Sequence, residues 1–295
     1  MKSKLLLRAA FAACSMEFLA FAVSEPASAQ FSINSPKVEK GELEVETHGS
    51  VQSGFPKAGR SEEAGEEAEG AEEKDEKPVR QGHEFEISYG LTDFWAVELG
   101  ITVQKPSGDG FEASALELQN TFQLATIERW NMTVGFLASA SLGIGEGEPN
   151  AVEFGPLIQF GDEKTGSLIL NTIFEKTFGP DREEGLGFEY AAQFRYPLTE
   201  KVGLGVEGYG EIEDIGHTPR FEDTELRVGP MVYFSFGDDD DDKGKGKGKG
   251  GDDDDDKGLK AGAKEPEIEI GMGVLFGATD ATPDVTFKWD VGVAF

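Results

Sequence analysis

The strongest constraint on this chain is a two-residue hydrophobic period that recurs along most of its length and ends on the final residue, Phe295. In the last segment Val285, Phe287, Trp289, Val291, Val293 and Phe295 share one parity. Thr286, Lys288, Asp290, Gly292 and Ala294 share the other. A β-strand sends successive side chains to opposite faces, so this segment reads as a strand with one apolar and one polar face. The pattern repeats from Leu186, where Phe188, Tyr190, Ala192, Phe194 and Tyr196 alternate with Gly187, Glu189, Ala191, Gln193 and Arg195. From Leu226, Val228, Pro230, Val232, Phe234 and Phe236 alternate with Arg227, Gly229, Met231, Tyr233 and Ser235. From Trp130, Met132, Val134, Phe136, Ala138, Ala140 and Leu142 alternate with Asn131, Thr133, Gly135, Ser139 and Ser141. Ser167–Phe178 is partly apolar on both faces.

Segments start near Gly41, Gly82, Phe94, Phe111, Trp130, Ala151, Thr165, Gly185, Lys201, Glu222, Glu267 and Asp284, which predicts about twelve strands within a range of about ten to fourteen. Pro156 and Pro230 fall inside strands and would each remove a ladder hydrogen bond, which predicts bulges or shorter strands there. A soluble β-sandwich would also alternate. Here, however, one face is dense in Phe, Trp, Leu and Val, the other holds Gly, Glu, Gln, Ser and Arg, and very long polar insertions separate strands. The sequence therefore predicts an all-β, antiparallel, up-and-down transmembrane barrel of the Gram-negative outer membrane.

The start of the chain agrees with export. Lys2, Lys4 and Arg8 precede an apolar stretch from Leu5 to Val23, and Ala27-Ser28-Ala29 forms a cleavage site ahead of Gln30. Residues 1–29 are thus read as a signal peptide and 30–295 as the barrel. Cys14 offers a lipoprotein-type alternative, but the alanine site is better placed after the apolar region. Cleavage at Ala29 leaves a mature chain without cysteine, which removes disulfides and thiolate chemistry.

Charge excludes one class of partner. With 27 basic and 57 acidic residues the formal charge is −30, which opposes binding to nucleic acid phosphates. Much of the acid lies in Ser61–Lys77 and Asp238–Lys257, within insertions near 55–80 and 238–265 that read as disordered. The second combines two five-residue Asp runs with alternating Gly and Lys, and its Asp-Lys strings resemble engineered protease sites. Divalent cations could bind either acidic run, or bridge the first to lipopolysaccharide, but neither has EF-hand spacing and a solvated linker is the simpler reading.

With both chain ends in the periplasm, the outer loops are 52–81, 105–110, 145–150, 179–184, 214–221 and 278–283. The turns Gly90-Leu91-Thr92-Asp93 and Tyr196-Pro197-Leu198-Thr199-Glu200 then fall on the periplasmic side. The long connection Gly237–Pro266 also falls there, which is unusual: it is either a disordered periplasmic tether or the sign of a strand miscounted nearby.

No catalytic motif emerges, and neither a cofactor nor a metal centre is expected. Of the histidines, His48 lies on a polar face, His83 begins a strand, and His217 sits in an outer loop near Glu213 and Asp214. That last group is the one candidate for a rim-active hydrolase, but no nucleophile motif accompanies it. Gly203, Gly205 and Gly208 spell G-x-G-x-x-G but lie within an alternating strand instead of opening a helix.

The polar parity carries the functional reading. It predicts a lumen lined by Glu44, Glu46, Glu84, Glu86, Glu98, Glu117, Glu153, Glu189, Glu207, Glu211, Glu269 and Asp290, with Arg195, Arg227 and Lys288 as the few basic partners. An open pore of this kind favours cations. Alternatively the narrow lumen is filled by side chains, and then the carboxylates must be paired or protonated.

Lys40-Gly41-Glu42-Leu43-Glu44-Val45-Glu46, Tyr89-Gly90-Leu91-Thr92-Asp93-Phe94-Trp95 and Ala281-Thr282-Pro283-Asp284-Val285-Thr286-Phe287-Lys288-Trp289 resemble stretches of uncharacterised proteobacterial outer-membrane barrels. The Tyr-Gly-Leu-Thr-Asp turn is also similar to the phenol-degradation (MetA-pathway) outer-membrane family, a resemblance that implies movement of small, often aromatic compounds. Trp289, Val291, Val293 and Phe295 match the carboxy-terminal signal read by barrel-assembly machinery. The expected role is a passive channel for cations or small aromatic solutes. A structural or surface-interaction barrel with a plugged lumen is the alternative, and a rim hydrolase is a third reading.

Overall fold

A computed structural model describes residues 31–55, 79–106, 108–144, 148–162, 164–179, 182, 185–217, 219–237 and 266–295. The signal-peptide reading, Cys14 and both acidic runs lie outside these residues.

Twelve strands follow in chain order: β1 (Leu43–Ser53), β2 (Val79–Thr92), β3 (Trp95–Pro106), β4 (Glu112–Ile127), β5 (Met132–Gly143), β6 (Asn150–Asp162), β7 (Gly166–Phe178), β8 (Gly187–Pro197), β9 (Val202–Ile212), β10 (Glu225–Phe236), β11 (Glu267–Gly277) and β12 (Val285–Ala294). Each pairs antiparallel with its sequence neighbours, and β12 returns to β1 to close the barrel. At the seam the backbone N–H of Phe295 donates to Leu43 O at 2.9 Å, and Leu43 N–H returns a bond at 3.4 Å. The terminal residue thus closes the last rung between the two ends of the sheet.

Parity sets the faces. Phe85, Ile87, Leu99, Leu116, Leu118, Val152, Phe154, Phe194, Leu204, Val206, Phe276 and Phe287 are exposed. Such a band around the whole barrel suits hydrocarbon and would be untenable on a soluble monomer. Closure also leaves no sheet edge to be hydrogen-bonded by water that the membrane lacks. Among the described residues no helix is long and apolar enough to cross a membrane.

The two in-strand prolines make no bulge. Both follow a glycine, in Gly155-Pro156 and Gly229-Pro230. The β6–β7 ladder skips these two residues between Phe154↔Phe174 and Leu157↔Asn171, and the register resumes unshifted. The β10–β11 ladder does the same between Val228↔Phe276 and Met231↔Gly273. At each gap the partner strand's carbonyl oxygen comes within 1.9 Å of where a glycine Cβ would stand. The glycine admits that close approach while the proline forgoes its donor, so the strands run at full length.

The connection between β10 and β11 leaves and returns at the rim of Phe295, since Glu267 pairs with Ala294. The strand count is therefore not in error there, and the connection starts and ends at the rim of short turns.

Leu99, outward in the middle of β3 and 57% exposed, tests the lipid face. Leu99→Arg is expected to destabilise the barrel by about 2–4 kcal/mol near the bilayer midplane. Reversible urea unfolding in lipid vesicles measures this, and a change near zero would place Leu99 outside the hydrocarbon.

Candidate functional site

The lumen has two differently built walls and an insert. On one wall, strands β8 to β12 bring the basic residues against carboxylates. Glu207 is the hub, with its side chain fully buried. It accepts from Lys288 Nζ at 2.9 Å, Tyr233 Oη at 2.8 Å, Gln193 Nε2 at 2.8 Å and Tyr209 Oη at 2.6 Å. Lys288 also reaches Asp290 at 2.8 Å. Arg195 bonds Glu269 and Ser235 and lies over the Tyr233 ring, 4.7 Å from its centroid. Arg227 donates to Glu225 and, at 3.0 Å, to Gln52 Oε1. Glu207, Arg195, Arg227, Glu269, Lys288 and Asp290 thus belong to a satisfied polar network, as a buried charge requires.

The other wall is acidic. Glu46 and Glu86 face each other across β1 and β2, and His48 Nε2 lies 3.1 Å from Glu86. Gln119 donates to Glu98 at 3.1 Å. Glu44 stands on the same inward parity of β1, two residues below Glu46, and Glu84 is the residue paired with His48. Between the walls, Glu86, Glu117, Glu153, Glu189, Glu211 and Glu225 converge from β2, β4, β6, β8, β9 and β10, with Arg227, on a cavity of about 60 Å³, large enough to hold water.

The insert was not anticipated from the sequence. Residues 31–42 fold back before β1 and enter the lumen at the Phe295 rim. Gly41 N–H donates to Gly90 O at 2.8 Å and Gly90 N–H to Glu42 O at 3.0 Å. A side chain at Gly90 would collide with Glu39 O, 1.9 Å from the Cβ position, so the entry path runs over a bare backbone. Deeper in, Val38 N–H donates to Gln123, Ser35 Oγ to Gln159, and Pro36 is buried against Gly135. Asn34 makes two bonds with Asn171, each 2.8 Å, one from backbone to side chain and one in reverse. Phe31, the first described residue, packs on Tyr209 and Leu275, with the Arg227 guanidinium 4.5 Å from its ring centroid. Phe31, Ser32 and Asn34 line the acidic cavity.

One signal of this insert is present in the sequence. Leu137, Leu157, Ile173 and Leu275 are apolar residues on the polar parity, and all are buried. Leu137, Leu157 and Ile173 form a cluster. Apolar groups facing a purely aqueous lumen would have no reason to be there, and the mixed faces of β7 have the same origin.

The outer-loop group is simpler. His217 Nδ1 meets Asp214 at 2.7 Å, but the imidazole is 91% exposed. The bond from His217 and the Gly216 N–H hold the Asp214 carboxyl below its usual range. This is a local loop brace. His83 lies on the outward parity, its ring 5.4 Å from Trp289 and 5.6 Å from Phe111.

No protein-family model matches the chain. A search among curated proteins by sequence also finds no match. Among solved structures, the COG4313 outer membrane channel from Pseudomonas putida is similar over 92% of this chain and 99% of that one, with 13% identity and a TM-score of 0.52. The KdgM porin covers 85% of this chain and 98% of its own at 8% identity and a TM-score of 0.45. The NanC porin gives the same coverage and identity at 0.44. At these identities the likeness is one of fold, that of bacterial outer-membrane barrels.

The hub yields a test. Lys288→Met leaves Glu207 buried without its cation and is expected to cost about 3–5 kcal/mol. Adding Glu207→Gln should restore more than half of that. Unfolding midpoints of the two variants in detergent measure both effects, and equal destabilisation of single and double variants would remove Lys288 from the hub.

Proposed function

We propose that the chain is a passive outer-membrane channel for small solutes, with a passage limited by residues 31–42 and a preference for cations set by the acidic wall. The observation that carries this reading is the gathering of carboxylates inside the barrel. Glu117, Glu153, Glu189 and Glu211 line one cavity, with Arg227 as the basic residue on it. Carboxylates gathered around a low-dielectric cavity raise the local concentration of cations. Small aromatic cations suit both the carboxylates and the rings of Phe31 and Tyr209 at the cavity floor. The partners of this reading are outer-membrane lipid, lipopolysaccharide and the assembly machinery that reads Trp289, Val291, Val293 and Phe295.

One observation favours the second reading, a structural barrel with a plugged lumen. It is the insert itself, hydrogen-bonded to side chains of β4, β6 and β7. Two outcomes in planar bilayers separate the readings. A channel gives a current whose reversal potential in a KCl gradient is cation-selective, and deleting 31–38 raises its conductance several-fold. Glu117→Gln with Glu153→Gln and Glu189→Gln should move the reversal potential toward zero. A barrel silent both with and without residues 31–38 is a structural one.

A further inference from the structure

Glu46 and Glu86 are directly opposed on the inward faces of β1 and β2. Like charges in that relation repel, and a fold keeps them where something positive lies between. His48, the next inward residue of β1, leans on Glu86, and a donor atom from each of Glu46, His48 and Glu86 lies within 4.8 Å of the others. The His48 and Glu86 side chains are 15% and 9% exposed.

The ring has two nitrogens. Nε2 meets Glu86 at 3.1 Å, and Nδ1 is buried with no hydrogen-bond partner. An imidazole nitrogen can give its lone pair to a Lewis acid in place of a proton. From these observations we infer that Glu46, His48 and Glu86 form a site for a borderline divalent transition-metal ion, such as zinc, on the lumen wall.

The charge and the size both fit. Two carboxylates and a dication sum to zero, which removes the repulsion between Glu46 and Glu86. Donors around a four-coordinate ion bonded at about 2.0–2.1 Å stand about 3.4 Å apart. Within the 4.8 Å limit each side chain has about an ångström to travel. The imidazole selects zinc, copper or nickel over calcium and magnesium, which prefer oxygen alone. Glu84 and Asp290 are the residues paired with His48 on the two neighbouring strands, and Glu44 and Glu98 face the same space. They add negative potential. Lys288 is the nearby cation, and it is held by Glu207 and Asp290. The fourth position opens to the lumen for water or a passing ligand. The site does not depend on whether the lumen conducts.

Cobalt(II) is the probe, because tetrahedral coordination with imidazole gives it a strong visible band. The full chain in detergent, stripped with chelator, is titrated in excess calcium and magnesium, which saturate the acidic runs. One cobalt per chain is expected, displaced by zinc but not by calcium. His48→Ala and Glu46→Gln should each weaken binding at least about tenfold while the barrel keeps its heat-modifiable gel mobility. If His48→Ala fails to fold, Glu86→Gln gives the same reading. A band unchanged in these variants, displacement by calcium, or no cobalt retained by the unmodified chain overturns the assignment.

Discussion

Closure of the β1–β12 seam is the constraint from which the rest of the molecule follows. In hydrocarbon an unpaired backbone N–H costs several kcal/mol, so the sheet must end where it began. Once it does, parity is no longer free. A slip of one residue at the seam would carry Val291 and Phe287 into the lumen and Asp290 and Lys288 into lipid. The bond between Phe295 and Leu43 is the last rung of that register. The backbone of the terminal residue therefore helps fix which side chains face inward.

An inward face this acidic must be stabilised from within the lumen. Glu207 shows one solution, four donors converging on one carboxylate, including the hydroxyls of Tyr209 and Tyr233. Buried networks of this kind specify a structure only when every member is satisfied. The carboxylates from β2, β4, β6 and β8 instead border a cavity large enough to hold water. The same asymmetry underlies both the proposed selectivity and the proposed metal site.

The period of two made most of this legible. The strand starts read from alternation lie within three residues of the observed ones, and the parity of Glu117, Glu153 and Glu189 followed from the same count. Residues 31–42 have no such period. They act as an extended strap whose partners are Asn171, Gln159, Gln123 and Tyr209, all far away in sequence. Only the misplaced apolar residues, Leu275 above all, hinted at it. His48 and Glu86 were also beyond reach, because they meet only when β1 and β2 pair in one register across a long insertion. The prolines misled for a different reason. The effect of Pro156 depends on the carbonyl opposite, and nothing local reports that Gly155 lets Thr172 O approach so closely.

The insert is not held evenly along its length, and this bears on how a strap can coexist with a passage. Its middle is fixed by the paired Asn34–Asn171 bonds and by Pro36 against Gly135. Its first described residue has weaker ties. The single Tyr209 hydroxyl proton can serve Phe31 O at 3.2 Å or Glu207 at 2.6 Å, and the short charged bond wins. What remains at Phe31 is ring packing on Tyr209 and Leu275 and the Arg227 cation over its face, a contact worth about 0.5–2 kcal/mol. Arg227 keeps Glu225 and Gln52 whether or not Phe31 is present. Among the described residues, the strap is therefore held more firmly at Asn34 and Pro36 than at Phe31, where the acidic cavity is lined by ring packing more than by hydrogen bonds.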